Sequence, residues 1–399
     1  MRSAQGVSTN SDTATAVKEA VQNALENLKG GSDIFAALIF WGSVHQAEVI
    51  ATTFQSLLPE KPVIGASTDG EITGQGLSVD SVVVFLMASP NIKARTAAAA
   101  PLSNKNSFEG GKLIASRLKS DLGRFLILLP DGLTGNGTQV IKGAQEVLGQ
   151  NFVIAGGTAG DRGQFKQTWQ LRNGKAYSGA LVGMILESER PLDIGFGVMS
   201  GWRPIGISKM VTEAEGNIVY KIENETALDV YRTFLGDKAS QLPAIGVEYP
   251  FGLVDESGVV NERGLRAGEE YLLMRAPMSV DTTNGSIQFA AEIPKGAKIK
   301  MTRAKSTDII EASKEAASRA IQKMQGKPEA VFFFSCMARK VVLGRKTNQE
   351  IEAAQEVFGR DIPMIGFYTY GEIANCGEEN PICRFHNETA TFLAIRENA

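Results

Sequence analysis

Cysteine, histidine, net charge and long apolar runs are all scarce in this chain. Three cysteines among 399 residues cannot build a disulfide framework and predict a protein at home in a reducing compartment. Two histidines leave little material for general-base chemistry. A formal net charge of −3 and a pI near 5.7 give no basic footprint, so nucleic acid is not a predicted partner. No stretch approaches the roughly eighteen uncharged apolar residues of a membrane span. The polar first residues hold no apolar leader core, and the expectation is a cytoplasmic protein without a membrane segment. In such a protein the Asn-x-Thr sites at Asn136, Asn224 and Asn387 are chance matches. Enzyme signatures are missing too. There is no G-x-x-x-x-G-K-[ST] loop, and Gly65-Ala66-Ser67-Thr68-Asp69-Gly70 puts its second Gly one residue late for a G-x-S-x-G elbow. Gly156-Gly157-Thr158-Ala159-Gly160-Asp161 is Gly-rich but runs from strand to strand, not into a helix N-terminus that would hold phosphate. The chain is therefore expected not to be an enzyme.

What is present is a phrase said three times: Ile64-Gly65-Ala66-Ser67-Thr68-Asp69-Gly70-Glu71, Ile154-Ala155-Gly156-Gly157-Thr158-Ala159-Gly160-Asp161, and Ile365-Gly366-Phe367-Tyr368-Thr369-Tyr370-Gly371-Glu372. Each copy ends a short apolar run, which predicts a strand running out into a tight Gly turn. Its surroundings repeat as well. Continuous apolar runs at 35–44, 125–130 and 330–337 read as strands buried on both faces. Runs at 46–58, 139–148 and 350–358 have helical spacing, as do 13–28, 108–118 and 307–324 in front of each unit. Strand-like runs at 81–87, 180–186 and 389–395 close the units. The unit is helix, strand, helix, strand, Gly turn, strand, and a repeat of that length is a duplicated α/β module.

In chain order, residues 1–32 read as a polar arm and a helix capped by Ser11 or Asp12. Residues 94–101 are an Ala-rich edge strand or connection. Residues 191–223 and 243–294 alternate between apolar and polar positions with Gly and Pro at the corners, among them Pro250, Gly258, Gly264 and Gly268, and read as short strands and turns. Asn284-Gly285 marks a hairpin, and 224–235 a short helix. The fold class is α/β with mixed sheets and a β-rich central segment. The domains run 33–225 (two units) and 226–399 (the β-rich insertion plus the third unit), after the 1–32 arm.

Three stretches together resemble the FIST domain: Gly195-Phe196-Gly197-Val198 with Gly201-Trp202-Arg203-Pro204-Ile205-Gly206, Phe334-Ser335-Cys336 with the third phrase and Ile373, and the tail His386-Asn387-Glu388-Thr389-Ala390-Thr391. The likeness covers an N-terminal part over about 34–225 and a C-terminal part over about 226–378. It implies a sensory module of signal transduction that binds small molecules such as amino acids. One similar branch is described as haem-containing nitric-oxide sensors acting on histidine kinases or cyclic-di-GMP enzymes. No kinase, cyclase or F-box segment is present here, so a sensor of this kind reports to a separate partner protein.

Candidate site residues follow from the phrase. Ligands of α/β sheets collect beyond the carboxyl ends of strands, so the three turns are expected to line a cleft between the two halves of the chain. Thr68, Glu71, Thr158, Asp161, Thr369, Tyr370 and Glu372 would face it, the acids holding an ammonium group. Arg203 would hold a carboxylate through two hydrogen bonds. The bland alternative is that Thr and the acid only satisfy backbone N–H groups in a repeated turn. A second constellation, Cys336, Cys376, Cys383 and His386, offers four soft ligands for zinc, although Cys376-x6-Cys383-x2-His386 is not a knuckle spacing. A non-covalent haem would take His45 or His386 as its axial ligand. The leading expectation is a non-catalytic ligand sensor. Haem-based gas sensing and a ligand-free interaction scaffold stand as alternatives.

Overall fold

The computed structural model describes residues 1–29, 33–254, 272–377 and 381–398. The corners assigned to Gly258, Gly264 and Gly268 lie outside the described residues. Three units repeat one order of elements. The first is β1 (Arg2–Ser8), α1 (Thr13–Leu28), β2 (Ile34–Gly42), α2 (Ala47–Leu57), β3 (Val63–Thr68), the hairpin β4 (Glu71–Thr73) and β5 (Gly76–Ser78), and β6 (Val82–Ala88). The second is β7 (Ile92–Ala99), α3 (Ser107–Leu118), β8 (Gly123–Pro130), α4 (Gly137–Leu148), β9 (Ile154–Gly157), the hairpin β10 (Trp169–Arg172) and β11 (Lys175–Ser178), and β12 (Leu181–Ser188). The third opens with β13 (Leu192–Met199) and is interrupted at once by an inserted sheet: β14 (Arg203–Glu215), β15 (Ile218–Ile222), β16 (Glu225–Thr226), the helix α5 (Ala227–Leu235), β17 (Phe251–Val254), β18 (Leu272–Arg275), β19 (Pro277–Asp281), β20 (Ser286–Phe289) and β21 (Lys298–Arg303). It resumes with α6 (Ser306–Gln322), β22 (Ala330–Cys336), α7 (Met337–Leu343), α8 (Thr347–Phe358), β23 (Met364–Thr369), the hairpin β24 (Glu372–Cys376) and β25 (Ile382–His386), and β26 (Ala390–Glu397).

Each unit gives its hairpin away. The three six-stranded sheets run β1-β6-β2-β3-β10-β11, β7-β12-β8-β9-β24-β25 and β13-β26-β22-β23-β4-β5. The second unit completes the first sheet, the third completes the second, and the first completes the third. The exchange is closed and cyclic. Two hinged halves with a cleft between them, as expected from the sequence, are therefore not what the chain builds. Strands from 71–78 and 192–199 share a sheet with strands from 330–397, so sheet hydrogen bonds cross the boundary near residue 225. Residues 1–8, expected as an arm, are an edge strand paired with β6, and the Ala-rich segment is the edge strand β7.

The inner faces of the three sheets meet in one aromatic core. Phe85 and Phe125 each approach Phe332, with ring centroids 6.0 and 6.2 Å apart, and Phe40 lies 4.6 Å from Phe367. Helices cover the outer faces: α1 and α2 on the first sheet, α3 and α4 on the second, α6 and α8 on the third. The middle strands are buried on both sides, which is why β2 is an uninterrupted apolar run and β22 is one as far as Phe334. The small residue of the repeated phrase has a steric cause. A Cβ on Gly65 would lie 2.1 Å from the Ile39 carbonyl oxygen, and one on Gly366 would lie 1.6 Å from that of Phe333. In the second unit this place belongs to Gly156, 1.9 Å from Leu128 O, and not to Ala155. A one-residue irregularity thus offsets the second phrase from the other two.

The inserted sheet has the order β18-β17-β21-β14-β15-β20-β19. Asn284 and Gly285 turn the β19–β20 hairpin as expected. α5 and the sheet enclose a separate core of Val219, Tyr231, Phe251, Ile287 and Phe289. The module is seated on the third unit through Trp202, Leu272 and Met274 against Ile309 and Leu343. It is tied to the second unit by Asn136 and Gln139, which donate to Glu292 Oε1 at 3.1 and 2.7 Å.

Candidate functional site

The three Gly turns gather at one end of the sheets and close on one another. Asp69 N donates to Tyr368 O at 3.0 Å and Tyr368 N to Gly70 O at 2.8 Å. Thr158 N donates to Gly371 O at 2.9 Å, and Gly160 N to Ser67 O at 2.9 Å. No cleft separates the turns along these contacts, because each leads its chain across to the neighbouring sheet and pairs with the strand end it passes. Two of the three Thr hydroxyls stay local, and Thr158 Oγ1 is buried without a partner. Thr68 Oγ1 donates to Glu71, and Thr369 Oγ1 donates to Gly371 O at 2.7 Å.

Register shows which residues are true counterparts. Glu71 Oε2 accepts from Ser81 N and Oγ at 3.1 and 2.6 Å, at the foot of β6. Glu372 Oε2 accepts from Thr389 N and Oγ1 at 3.0 and 2.8 Å, at the foot of β26. In the second unit the residue at this place is Gln170, whose Oε1 accepts from Ala180 N at 3.0 Å at the foot of β12. Asp161 is therefore not the counterpart of the two glutamates. It opens a loop unique to the second unit and ties that loop together, accepting from Phe165, Lys166 and Gln167 N at 2.9, 2.7 and 3.0 Å. Burial alone would raise its pKa. The Tyr370 hydroxyl, which donates to it, and those N–H groups instead hold it below the ordinary carboxylate value. Phe165 stacks on Tyr370 at 4.7 Å.

The three strand feet differ in how far their polar groups are answered. In the first unit both Glu71 oxygens have donors, and Asp80 pairs through Oδ2 with Arg162 at 2.9 Å while its Oδ1 is left over. In the second, Asp131 takes the place that Cys336 holds in the third, since Asp131 N and Cys336 N make the same bond, to Ala180 O and Thr389 O. Its carboxylate is fully employed by Leu133 and Thr134 on one oxygen and by Thr168, Gln170 Nε2 and Gly179 N on the other. In the third unit the groups are left over. Glu372 Oε1, both Glu388 oxygens and both Asn387 side-chain atoms are buried without a hydrogen-bond partner. Glu372 and Glu388 are 0% exposed and Asn387 1%. Native interiors answer nearly all such groups, so a cluster of this kind calls for an occupant. Glu388 also has φ +60°, the left-handed region, matching Asp80 at +60° and Gly179 at +65° at the other two feet.

The electrostatics follow from burial. Desolvation pushes Glu372 up to about 8, against the opposing bonds from Thr389 and the thiol of Cys336. Glu388 is pushed up by burial and then by the charge of Glu372. Burial raises Glu71 to about 7. The Cys336 thiol is pushed up by burial and by Glu372 and Glu388 beside it. Tyr231, from α5 of the inserted module, lies within electrostatic reach of Glu388. It is fully buried, donates to Tyr249 O at 3.0 Å and lies close enough to Glu388 to be raised by it after burial. Arg339, whose charge reaches Glu372 and Glu388, is committed to Glu350 at 2.8 Å, Ile309 O at 2.8 Å and Ser200 O.

The other sequence candidates are placed apart or otherwise engaged. Arg203 begins β14 on the inserted sheet, opposite Arg303, and is not on the ring of turns. Cys376 and Cys383 project to opposite faces of the β24–β25 hairpin, because Cys383 pairs with Asn375. Cys376 Sγ meets Ile382 O at 3.6 Å and Cys383 Sγ meets Ile154 O at 3.5 Å. Among the described residues no group of three or more His, Cys, Asp or Glu side chains is arranged to hold a metal, so Cys336, Cys376, Cys383 and His386 are not gathered into a zinc site. Haem fits neither imidazole. His45 uses both ring nitrogens, Nδ1 with Thr13 Oγ1 at 3.3 Å and Nε2 with Asp80 O at 3.1 Å. His386 is buried opposite Glu372, with Nε2 held by Ala374 O at 3.2 Å, and burial lowers its pKa to about 3.

Sequence reasoning missed Gln170, Asn387, Glu388 and Tyr231 as site residues. A signal for Glu388 was present. Asp80-Ser81, Gly179-Ala180 and Glu388-Thr389 each stand immediately before the last strand of a unit. Aligning units on that strand would have set Glu388 beside the phrase.

Comparison with known proteins gives a consistent outline. Residues 36–225 match the family model described as the FIST N domain, and residues 227–375 that of the FIST C domain. Two uncharacterised proteins from strains of Mycobacterium tuberculosis are each 25% identical over 400 residues, covering 98% of this chain and 100% of theirs. An uncharacterised protein of Methanocaldococcus jannaschii is 24% identical over 227 residues, 53% of this chain and 43% of its own. A cyanuric acid hydrolase from A. caulinodans aligns over 47% of this chain and 72% of its own at 9% identity, with a TM-score of 0.24 that is too low to speak for a shared fold.

Proposed function

The chain belongs to the FIST family, whose domains are associated with sensing and signalling, and on that premise we propose that it is a non-catalytic cytoplasmic sensor that binds a small ligand at the foot of β26 and reports to a separate signalling protein, such as a histidine kinase or a cyclic-di-GMP enzyme. One observation carries the place. Five buried side-chain atoms of Glu372, Asn387 and Glu388 lack partners there, whereas at the equivalent feet Glu71 and Asp131 are answered by the protein itself and Asp80 leaves a single oxygen over.

Binding rather than catalysis is favoured by the groups around the cluster. A thiol pushed up by burial and by two acids is a poor nucleophile. The absence of any described helix long and apolar enough to cross a membrane is compatible with this setting. The route to a partner runs through the inserted module, whose Tyr231 belongs to a core of its own and feels the charge of Glu388. A ligand shifts that module only by binding two of its positions with different affinity.

Thermal shift of the full chain against a small-molecule panel, run in parallel on wild type and Glu372→Gln, tests the reading. Shifts lost in the variant support it. Shifts of equal size in both proteins place the ligand elsewhere, and no shift with any compound favours the interaction-scaffold reading.

A further inference from the structure

The groups left over at the foot of β26 are mostly acceptors. Glu372 Oε1, both Glu388 oxygens and Asn387 Oδ1 lack donors, against one unmet donor group, the Asn387 amide nitrogen. The nearby cations are committed. Arg339 is held by Glu350, Ser200 O and Ile309 O, and Arg275 gives Nε to Glu292 O at 2.9 Å and Nη1 to Met274 O at 2.8 Å. A ligand carboxylate placed here would face two acids with only Arg339, already paired with Glu350, as a cation whose charge reaches them, and a buried unpaired charge is strongly disfavoured. An ammonium brings three donors and the complementary charge.

The second unit supplies an internal comparison. There the place of Cys336 holds a carboxylate, Asp131, and the fold accepts it because its neighbours are an amide, Gln170 Nε2 at 3.2 Å, and a glycine N–H, Gly179 at 3.1 Å. In the third unit those two neighbours are Glu372 and Glu388. An arrangement that suits an anion when its walls are Gln and Gly suits a cation when both are Glu.

Resting on the site proposed above, we infer that its ligand is an aliphatic amine without an α-carboxylate, a mono- or diamine rather than an amino acid, with its ammonium group between Glu372 Oε1 and the Glu388 carboxylate. Ammonium binding favours the ionised carboxyls, so protons held by the pair are released as the amine enters.

The test is calorimetric titration of the full chain with 1,5-diaminopentane and with lysine, which differ only in the α-carboxylate, on wild type and Glu388→Gln. The expected result is heat of binding with the diamine, at least about tenfold weaker binding of lysine, loss of diamine binding in Glu388→Gln, and heats that change with the ionisation enthalpy of the buffer. Lysine binding as tightly as the diamine, and depending on Glu388, overturns the amine class while the site stands. No binding of either compound, where another compound gives a shift that needs Glu372, does the same. Diamine binding that is unchanged in Glu388→Gln, with panel shifts unchanged in Glu372→Gln, overturns the site itself.

Discussion

Glu372 and Gln170 occupy the same place in two copies of one motif. Each accepts a backbone N–H at the foot of the last strand, Glu372 from Thr389 at 3.0 Å and Gln170 from Ala180 at 3.0 Å. The fold therefore tolerates a neutral amide at this position, and the third unit departs from that solution by keeping an acid with an unanswered oxygen. Glu372→Gln should fold normally and retain the bond from Thr389, because Gln170 shows the geometry. It should lose ligand-dependent thermal shift. A variant that unfolds would contradict the equivalence of the two sites.

Glu388→Gly copies the second unit again, where Gly179 has nearly the same backbone angle, φ +65° against +60°. The change keeps the left-handed conformation but removes its cost, since glycine adopts it freely, and it removes a buried carboxyl without a partner. We predict a melting temperature raised by about 1–2 °C in the absence of ligand, the size of roughly 1 kcal/mol in a chain of 399 residues, together with lost binding. Stability bought at the expense of binding is the mark of a functional site, and a lowered melting temperature would argue for a purely structural Glu388.

The buried acids set a pH dependence. Glu71 at about 7 and Glu372 at about 8 lie above the ordinary 4.5. The folded protein keeps these protons over a range where the unfolded chain has released them, so stability falls as pH rises from about 4.5 toward 8. His386 works in the opposite direction. With its folded value at about 3 against 6.5, stability falls as pH drops through that window. Melting temperature measured against pH should peak between these limits, and Glu372→Gln should have a shallower alkaline limb. Parallel limbs in the two proteins would remove Glu372 from this account.

The ring of turns should be energetically tight. Ser67 Oγ donates to Gly160 O at 2.8 Å and accepts from Trp169 N at 2.9 Å, joining the first unit to the second. Ser67→Ala leaves a backbone donor and a carbonyl without these partners, at a cost of about 1–3 kcal/mol, readable as a shifted midpoint in urea denaturation. No shift would mean that the ring contacts are replaceable by water.

Arg339 and Glu350 form a fully buried ion pair at 2.8 Å under the site. Arg339→Met strands Glu350 and should cost about 3–5 kcal/mol. Adding Glu350→Gln should restore part of that by removing the orphaned charge. A double variant as unstable as the single one would show that packing, not charge, carries the effect.

Much of the repeat was legible in the sequence, and the interlacing was not. The apolar runs at β2, β8 and β22 and the helical spacing of α1 and α8 are local signals, and local signals give elements. The exchanged hairpins are short. β4 is Glu71–Thr73, too brief to show a period, and its partner β23 lies nearly 300 residues away in the sequence. Pairing at such separation leaves no pattern in either segment. The same offset hid the site. Asp161 looks like Glu71 and Glu372 in the linear phrase, but the extra loop of the second unit moves the equivalent position to Gln170. Glu71 turned out to serve its own turn, as the bland alternative allowed, through Thr68 and Ser81. Glu388 escaped notice because its importance is a lack of partners, and only packing reveals a lack.

A crystal structure of the protein grown with 1,5-diaminopentane addresses the central claim most directly. A ligand nitrogen is expected within hydrogen-bond distance of Glu372 Oε1 and one Glu388 oxygen. Only water between the two acids, with the same water in Glu388→Gln, would contradict it.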